Sequence, residues 1–199
     1  MDGIALPAFE FETARLLVRP LQAGDETLFH GLYTDPETMR FIGKPLSAEQ
    51  ASSRFRKIVA RQREPSLQGR FLAMLDKATR QSLGICGTSH YDVAARRLEV
   101  GLVLRREARA QGFAREALAA LMERIFAASP VNEIEVKFSV ENRAAEQLFS
   151  SLRFTPCVDA AEEAGLLSER RWSVCRSSGY VTNTTNDLGE HHVERHRFA

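Results

Sequence analysis

The stretch that decides the fold runs from Leu98 to Phe126 and has the sequence LEVGLVLRREARAQGFAREALAALMERIF. Its first seven residues, 98–104, have the apolar, β-favouring character of a strand. A basic loop follows, and the residues after it favour a helix because apolar side chains recur at the three- and four-residue spacing of one buried face. These apolar residues are Ala114, Ala117, Leu118, Leu121 and Ile125. The segment therefore predicts a strand, a loop and a helix.

The loop before this helix is expected to bind an anion. The first N–H groups of a helix have no partner inside it, and the helix dipole places partial positive charge at that end. Gly112 has no side chain to keep a phosphate from the backbone, Ala114 keeps the first turn slim, and Arg109 adds a full charge. The segment lacks both the P-loop and the Rossmann fingerprint. These residues favour a pyrophosphate, and a plain strand-to-helix connection is the alternative.

Three motifs in this chain resemble one known family. Residues 109–114, RAQGFA, are similar to the Q/R-x-x-G-x-G/A signature of the GNAT superfamily, the N-acetyltransferases that use acetyl-coenzyme A. Residues 13–20, TARLLVRP, resemble the opening strand of the branch that acetylates the N-termini of ribosomal proteins. Residues 141–149, ENRAAEQLF, resemble the second cofactor motif of that branch. The motifs occur in the family's order and extend from about Phe11 to Arg176.

The resemblance implies a mixed α/β (α+β) fold in a single domain. Its central sheet would be mixed but mostly antiparallel, splayed at the middle strands, with helices on both faces. We assign residues 1–176 to this acetyltransferase domain. Residues 177–199 are polar and have no regular hydrophobic period, which is typical of a disordered or loosely attached tail.

Local patterns place the other elements. Ser47 and Gln50 have the spacing of a capping box at the start of a helix. Gly84 and Gly87 inside a strand indicate a bulge or the close approach of another backbone. The expected strands are 15–19, 71–76, 83–91, 98–104, 134–140 and 170–176, and the expected helices begin near Asp25, Ser47, Gly112 and Asn142. The first of these helices is expected to stop at Asp35 and Pro36.

Composition excludes several classes of protein. A chain of 199 residues with 44% hydrophobic content is expected to form one globular domain. The net charge of +1 gives no field for nucleic acid or an anionic membrane. Three cysteines, an N-terminus without a leader pattern and the lack of a membrane-length apolar run predict a cytoplasmic protein. His192 and His196 have no third ligand in a fixed place, so no metal is expected.

The resemblance also implies where the co-substrate, acetyl-coenzyme A, would bind. Backbone N–H groups at the splay would receive the pantetheine arm and the thioester oxygen, while Asn142 and Phe149 would hold the cofactor from the next helix. The cofactor-binding residues expected on this basis are Leu102, Val103, Leu104, Arg109, Ala110, Gln111, Gly112, Phe113, Ala114, Asn142 and Phe149. An oriented backbone donor in a dry site is worth about 3 kcal/mol of barrier.

Two carboxylates, Glu99 and Glu135, lie on strands whose ends should converge at the cofactor, and we expect the catalytic base among them, with Glu99 preferred. The acid is where the chain departs from the family. Phe149 stands where many relatives have tyrosine, and Ala145 stands where the N-terminal acetylating branch often has serine. Because a thiol has a pKa near 8.5, a thiolate leaves with little protonation, and a tyrosine (Tyr91 or Tyr33) or a water remains open as the donor.

The leading hypothesis is an N-acetyltransferase that moves an acetyl group from acetyl-coenzyme A to a primary amine, either a small molecule or a peptide or protein N-terminus. An acyl-coenzyme A binding module with little or no activity is the alternative, and Ala145 and Phe149 favour it. A structural or interaction domain without a cofactor is the third hypothesis. The resemblance allows a homodimer.

Arg153 replaces a glycine that the family places after the second cofactor helix, where a left-handed residue with a side chain costs about 1 kcal/mol.

Overall fold

The computed structural model describes residues 9–157 and 168–176. Over these residues the chain forms eight strands and five α-helices. The strands are β1 (Phe11–Glu12), β2 (Leu16–Pro20), β3 (Phe71–Asp76), β4 (Ser82–Asp92), β5 (Arg97–Leu104), β6 (Glu133–Ser139), β7 (Thr155–Pro156) and β8 (Glu169–Cys175). The helices are α1 (Glu26–Tyr33), α2 (Pro36–Met39), α3 (Ala48–Arg61), α4 (Phe113–Ala128) and α5 (Arg143–Ser151). The tail at 177–199, with His192 and His196, lies outside the described residues.

The strands form one mixed sheet in the order β1-β2-β3-β4-β5-β6-β8-β7. Only the central pair, β5 and β6, is parallel, and all other neighbouring strands are antiparallel. These two strands pair over residues 97–99 and 133–135 and then separate, β5 continuing beside β4 and β6 beside β8. The expected mostly antiparallel sheet, splayed in the middle, is confirmed.

Helices cover both faces of the sheet, as expected. On one face α4 and α5 pack on the even-numbered side chains of β5 and on β6, with Leu98, Leu118 and Ile134 fully buried. On the other face α1 and α3 pack on β3, β4 and β5 through Phe29, Phe55 and other apolar side chains. Side chains of β5 contribute to both faces, because neighbouring residues of a strand point to opposite sides of the sheet.

The local signals around the first helices are mostly confirmed. Ser47 accepts from the N–H of Gln50, and the Gln50 side chain accepts from the N–H of Ser47, so α3 begins with a complete capping box. Helix α1 ends at Tyr33, but the stop expected at Asp35 and Pro36 is also the start of the short helix α2. Asp35 caps α2 by accepting from the N–H of Thr38, and Pro36 occupies a first-turn position that needs no N–H.

The two glycines of β4 mark close backbone approaches, as expected. A Cβ on Gly84 would overlap the carbonyl oxygen of Val103, and one on Gly87 would overlap that of Arg70. The same strand changes register between Thr88 and Tyr91 where it pairs with β5. After α5 the chain turns through Arg153 at a φ of 65°, so the left-handed turn is kept although the residue is not glycine.

Candidate active site

A cavity of about 430 Å³ opens where β5 and β6 separate. It passes between the strands, so groups from both faces of the sheet line it. Leu102, Phe138, Asn142, Ala145 and Phe149 line its α5 side. Tyr33, Phe41, Ile42, Arg54, Phe71, Ser89, Glu99 and Lys137 line it toward α1 and α3 or at the splay itself. The cavity thus joins four of the residues expected to hold the cofactor, Leu102, Val103, Asn142 and Phe149, to a second group of side chains. Leu104 and the loop residues 109–114 do not line it.

Main-chain donors at the edge of β5 face this cavity. The N–H of Arg105 donates to Leu83 of the β4 side at 2.8 Å, while the carbonyl of Arg96 accepts from Asn132 on the β6 side at 2.9 Å. Odd-numbered residues of β5 therefore point their N–H groups toward β4, and even-numbered residues point theirs toward β6. Because β6 separates after residue 135, no strand within residues 9–157 and 168–176 pairs with Leu102 or Leu104 on this side, and of these two residues Leu102 lines the cavity. Val103, which we grouped with them, directs its N–H toward β4.

The loop before α4 has the geometry of a helix N-terminus built on left-handed residues. Gly112 is the N-cap at a φ of 81°, and its carbonyl accepts from the N–H of Glu116 at 3.1 Å. The N–H groups of the first helical turn, including those of Phe113 and Ala114, precede the first intrahelical bond. Ala110 is also left-handed, at 58°. The exposed backbone of Gly112 gives an anion access to this turn.

Arg109 is half-buried and already bonded within the protein. Its Nε donates to the carbonyl of Leu104 at 3.3 Å, and its Nη2 donates to Thr38 Oγ1 of α2 at 2.9 Å. Gln111 donates to the carbonyl of Glu107. Arg109 thus ties the loop to the end of β5 and to α2, and its positive charge remains close to the start of α4.

A polar cluster that the sequence did not reveal as part of the site braces this loop. Arg15 Nε lies 2.7 Å from Glu116 Oε2, and Arg15 Nη1 donates to the carbonyl of Gln111 at 2.9 Å. Glu116 also accepts from Thr13 Oγ1 at 2.5 Å. Burial alone would raise the pKa of Glu116, but these hydrogen bonds outweigh burial and lower it. The only sign of this cluster in the sequence is the charged Arg15 next to the start of an apolar strand.

Glu99 lines the cavity with both carboxylate oxygens engaged. Oε1 accepts from Ser89 Oγ at 2.8 Å, and Oε2 lies 2.7 Å from Lys137 Nζ. The hydrogen bond to Glu99 raises the pKa of Lys137 above its ordinary value. The three side chains therefore form a connected polar group at the point where the central strands separate.

Glu135 is the register partner of Glu99, but its surroundings differ. Only 8% of its side chain is exposed, and it does not line the cavity. Its carboxylate lies 3.5 Å from Arg97 Nη1 and 3.6 Å from both Lys137 Nζ and Arg171 Nε. The two candidate bases thus separate into a cavity-lining carboxylate and a buried one surrounded by cations.

Helix α5 presents apolar side chains and one amide to the cavity. Asn142 caps the helix by accepting from the N–H of Ala145 at 3.1 Å. The buried Phe149 ring packs against Phe138 and Phe154 with centroid separations of 5.3 and 5.5 Å. Neither Ala145 nor Phe149 provides a hydroxyl, so this side of the cavity offers apolar surface and the Asn142 amide.

The two tyrosines considered as proton donors differ in position. Tyr33 lines the cavity, whereas Tyr91 does not. Burial raises the pKa of Tyr33 to about 12, with Arg54 opposing the shift. Tyr33 therefore stays protonated at neutral pH and releases its proton reluctantly. Phe41 and Ile42, which sequence reasoning missed, come from the connection between α2 and α3, where no periodic pattern marks them.

No group of three or more metal-binding side chains occurs in residues 9–157 and 168–176. In the same part of the chain, none of the helices has the length and apolar character to cross a membrane.

Comparisons with known proteins place the fold and the family. The model of the family described as "Acetyltransferase (GNAT) domain" matches residues 15–155. A relative from Bacillus licheniformis, described as the uncharacterized N-acetyltransferase p20, is 28% identical over 144 residues, which cover 71% of this chain and 80% of the relative.

Two solved structures with the same fold belong to enzymes with different acceptors. A spermidine N-acetyltransferase from Vibrio cholerae, in complex with coenzyme A and spermine, has a TM-score of 0.70 and 20% identity, covering 83% of this chain and 98% of its own. A ribosomal-protein-S5-alanine acetyltransferase from Vibrio fischeri has a TM-score of 0.69 and 16% identity, covering 85% and 97%. These neighbours do not single out the ribosomal-protein branch. The family match spans more than half of the chain, so the protein belongs to the GNAT acetyltransferase family and has an acetyl-coenzyme A dependent N-acyltransferase domain.

Proposed function

We propose that this protein transfers an acetyl group from acetyl-coenzyme A to a primary amine, of a small molecule or of a peptide or protein N-terminus, by direct attack in a ternary complex. The observation that supports this most strongly is the separation of β5 from β6 directly after Glu99 and Glu135. It separates the N–H groups of Leu102 and Leu104 from β6, and Leu102 lines the same cavity as Glu99, Asn142 and Phe149. A thioester oxygen and an attacking amine can meet there.

The cofactor would lie along the α5 side of the cavity with its pyrophosphate at the start of α4. The N–H groups of Gly112, Phe113 and Ala114, which begin a sixteen-residue helix, suit the phosphates. Arg109 would add its charge, and Ala110 and Gln111 would shape the turn. Asn142 and Phe149 would contact the pantetheine arm from α5. The donors of Leu102 and Leu104 would hold the arm and the thioester oxygen.

Glu99 is proposed as the base that acts on the amine, through a water. The amine must lose a proton to become a nucleophile, and an α-amino group with a pKa of about 7.7 to 8.0 needs only modest help. Attack forms the N–C bond, and collapse of the tetrahedral intermediate breaks the C–S bond. The ammonium form gives one proton by way of water to Glu99 before attack, and the nitrogen of the tetrahedral intermediate gives a second proton to solvent as the coenzyme A thiolate leaves.

Two other groups near the cavity are poorly suited to take part in chemistry. Burial raises the pKa of Cys86 to about 12, so this thiol would not form an acyl-enzyme at neutral pH. The raised pKa of Tyr33 makes proton transfer to a thiolate with a pKa near 8.5 unfavourable. The thiolate is therefore proposed to leave without a proton and to be protonated by the solvent after release. Glu135 is proposed to fix the charges around Lys137 and Arg97 and to have no direct contact with substrate.

The function is tested in two steps. Acetyl-coenzyme A at a hundred times its dissociation constant should add about 2.7 kcal/mol of stability, which a thermal-shift titration detects. Release of free thiol in the presence of a panel of amines should then exceed the release without amine. No stabilisation by acetyl-coenzyme A, or no amine-dependent thiol release across the panel, would contradict the proposal.

A second candidate is a member of the family that binds acyl-coenzyme A with little turnover. The engagement of both Glu99 oxygens by Ser89 and Lys137 favours it, as does the absence of a hydroxyl at Ala145 and Phe149. Stabilisation by acetyl-coenzyme A without thiol release on any amine would be its signature.

A further inference from the structure

Cations outnumber carboxylates among the charged side chains that line the cavity. Three are cations, Arg54, Arg70 and Lys137, and two are carboxylates, Glu99 and Glu169. Lys137 is paired with Glu99 at 2.7 Å. Arg70 turns its guanidinium into its own loop, where it donates to the carbonyls of Gln62, Glu64 and Ser66. Glu169, on β8, pairs with Ser139 at the end of β6, shortly before α5 begins. Arg54 is left as the cation open to an acceptor.

Arg54 is exposed and forms no ion pair within residues 9–157 and 168–176. Its guanidinium carbon lies 5.9 Å from the centre of the Tyr33 ring, and both residues line the cavity. Arg56 and Lys57 follow on the same helix and are also exposed, but neither lines the cavity. The position of Arg54 therefore differs from that of the other cations of α3.

Apolar side chains surround the mouth beside Arg54. Phe41, Ile42 and Phe71 line the same cavity, and 51% of Ile42 is exposed. An exposed isoleucine in a cavity that two phenylalanine rings also line gives a surface that an apolar group can cover. The same mouth offers no unpaired carboxylate from α1, α2 or α3 among its lining residues.

We propose that Arg54 selects the acceptor by charge, an inference that rests on the proposed N-acetyl transfer. The acceptor is the primary amine at the N-terminus of a peptide whose first two residues are apolar and whose third residue is acidic. The apolar residues cover Phe41 and Ile42, and the carboxylate pairs with Arg54. A polyamine would place a second positive charge beside Arg54, where repulsion opposes binding.

The test compares acceptors that differ only in charge. Two tripeptide amides begin with the same apolar pair and end in either glutamate or arginine, so the N-terminal amine is the only primary amine in each. Wild-type kcat/KM should favour the glutamate peptide by about 3- to 10-fold at low salt, and the preference should shrink as salt screens the charges. Arg54→Glu should reverse the preference and raise the low activity on spermidine.

Arg56→Glu is the matched control, because it makes the same charge change two residues away and outside the cavity. It should leave the peptide preference within about 2-fold of wild type, since an exposed charge farther from the acceptor is screened. Stabilisation by acetyl-coenzyme A should be unchanged in both variants. This result would show that both variants fold and still bind the cofactor.

Three outcomes would overturn the inference. Equal wild-type rates on the two peptides would refute charge selection while leaving N-acetyl transfer intact. An equal loss of preference in Arg54→Glu and Arg56→Glu would assign the selection to the general charge of α3. No thiol release with any acceptor would refute the proposed function, and with it this inference.

Discussion

Lys137 Nζ lies 2.7 Å from Glu99 Oε2, across the gap that opens after the last paired residues of β5 and β6. The same ammonium group lies 3.6 Å from Glu135 Oε1. Main-chain pairing between the two strands has ended at this point, so a side-chain ion pair continues the connection. The lysine holds Glu99 at the cavity while the strands stay apart.

The first prediction separates the two carboxylates. Glu99→Gln should lower kcat by about 100-fold or more with little change in stability, because it removes a base from an accessible position. Glu135→Gln should instead lower the free energy of unfolding by about 1–3 kcal/mol, because it removes a buried negative charge that three partly exposed cations share. Amine-dependent thiol release and urea unfolding of both variants measure these effects. Unchanged turnover in Glu99→Gln would refute its assignment as the base.

The second prediction concerns the start of α4. Gly112→Glu should weaken coenzyme A binding by at least about 10-fold, because a side chain at a φ of 81° costs about 1 kcal/mol and a carboxylate there repels the pyrophosphate. Gly31→Glu is the control, since Gly31 lies exposed on α1 with open space around its Cα. Calorimetric titration with coenzyme A compares them. Equal affinity in the two variants would remove the anion site from this loop.

The third prediction concerns Tyr33. Burial raises the pKa of its hydroxyl to about 12, so it holds its proton through the neutral range and is a weak acid. Tyr33→Phe should therefore keep kcat within about 3-fold of wild type and leave the pH profile unchanged between pH 6 and 9. A loss of about 100-fold would instead identify Tyr33 as the proton donor.

The fourth prediction follows from the lowered pKa of Glu116. A carboxyl whose pKa is lower in the folded state stabilises the fold above its ordinary value, here 4.5, and loses this effect as pH falls through the folded value. Wild type should therefore exceed Glu116→Gln in unfolding free energy at pH 7, and the difference should shrink below pH 4.5. Urea unfolding at pH 7 and pH 3.5 measures it. Glu123→Gln, an exposed change on α4, should show no such difference.

Local sequence signals predicted the elements that have long regular patterns. Helix α4 and strand β5 are strongly periodic, and the capping box of α3 lies within four residues, so all three follow from neighbouring side chains. The close approaches at Gly84 and Gly87 were also predictable, because a glycine in a strand interior often marks a bulge or a place where another backbone comes close. Helix α2 was missed because its start signal, Asp35 and Pro36, is also the signal that ends a helix.

The contacts within the site join residues that are far apart in the sequence, so they could not be predicted. Arg15 and Glu116 are 101 residues apart, and Lys137 meets Glu99 from another strand, so no local pattern could pair them. The choice between Glu99 and Glu135 required knowing which one faces the cavity. The apolar mouth formed by Phe41 and Ile42 comes from an irregular segment, where composition gives no direction to a side chain.

The fifth prediction tests the turn after α5. Arg153 has a φ of 65°, a conformation that glycine adopts without a steric penalty. Arg153→Gly should therefore raise the free energy of unfolding by up to about 1 kcal/mol, since relief of the backbone strain exceeds the added freedom of the unfolded chain. Arg143→Gly, at the exposed first position of α5, should lower it. A destabilised Arg153→Gly variant would show that the arginine side chain holds this turn.

The parting of β5 from β6 has a consequence for how this protein tolerates mutation. The hydrogen-bond donors that it exposes at Leu102 and Leu104 belong to the peptide backbone, which every amino acid except proline supplies. Replacing these leucines with other apolar residues changes packing against the neighbouring helices and leaves the donors in place. Proline scanning along this edge would therefore detect the donors, whereas an alanine scan would pass over them.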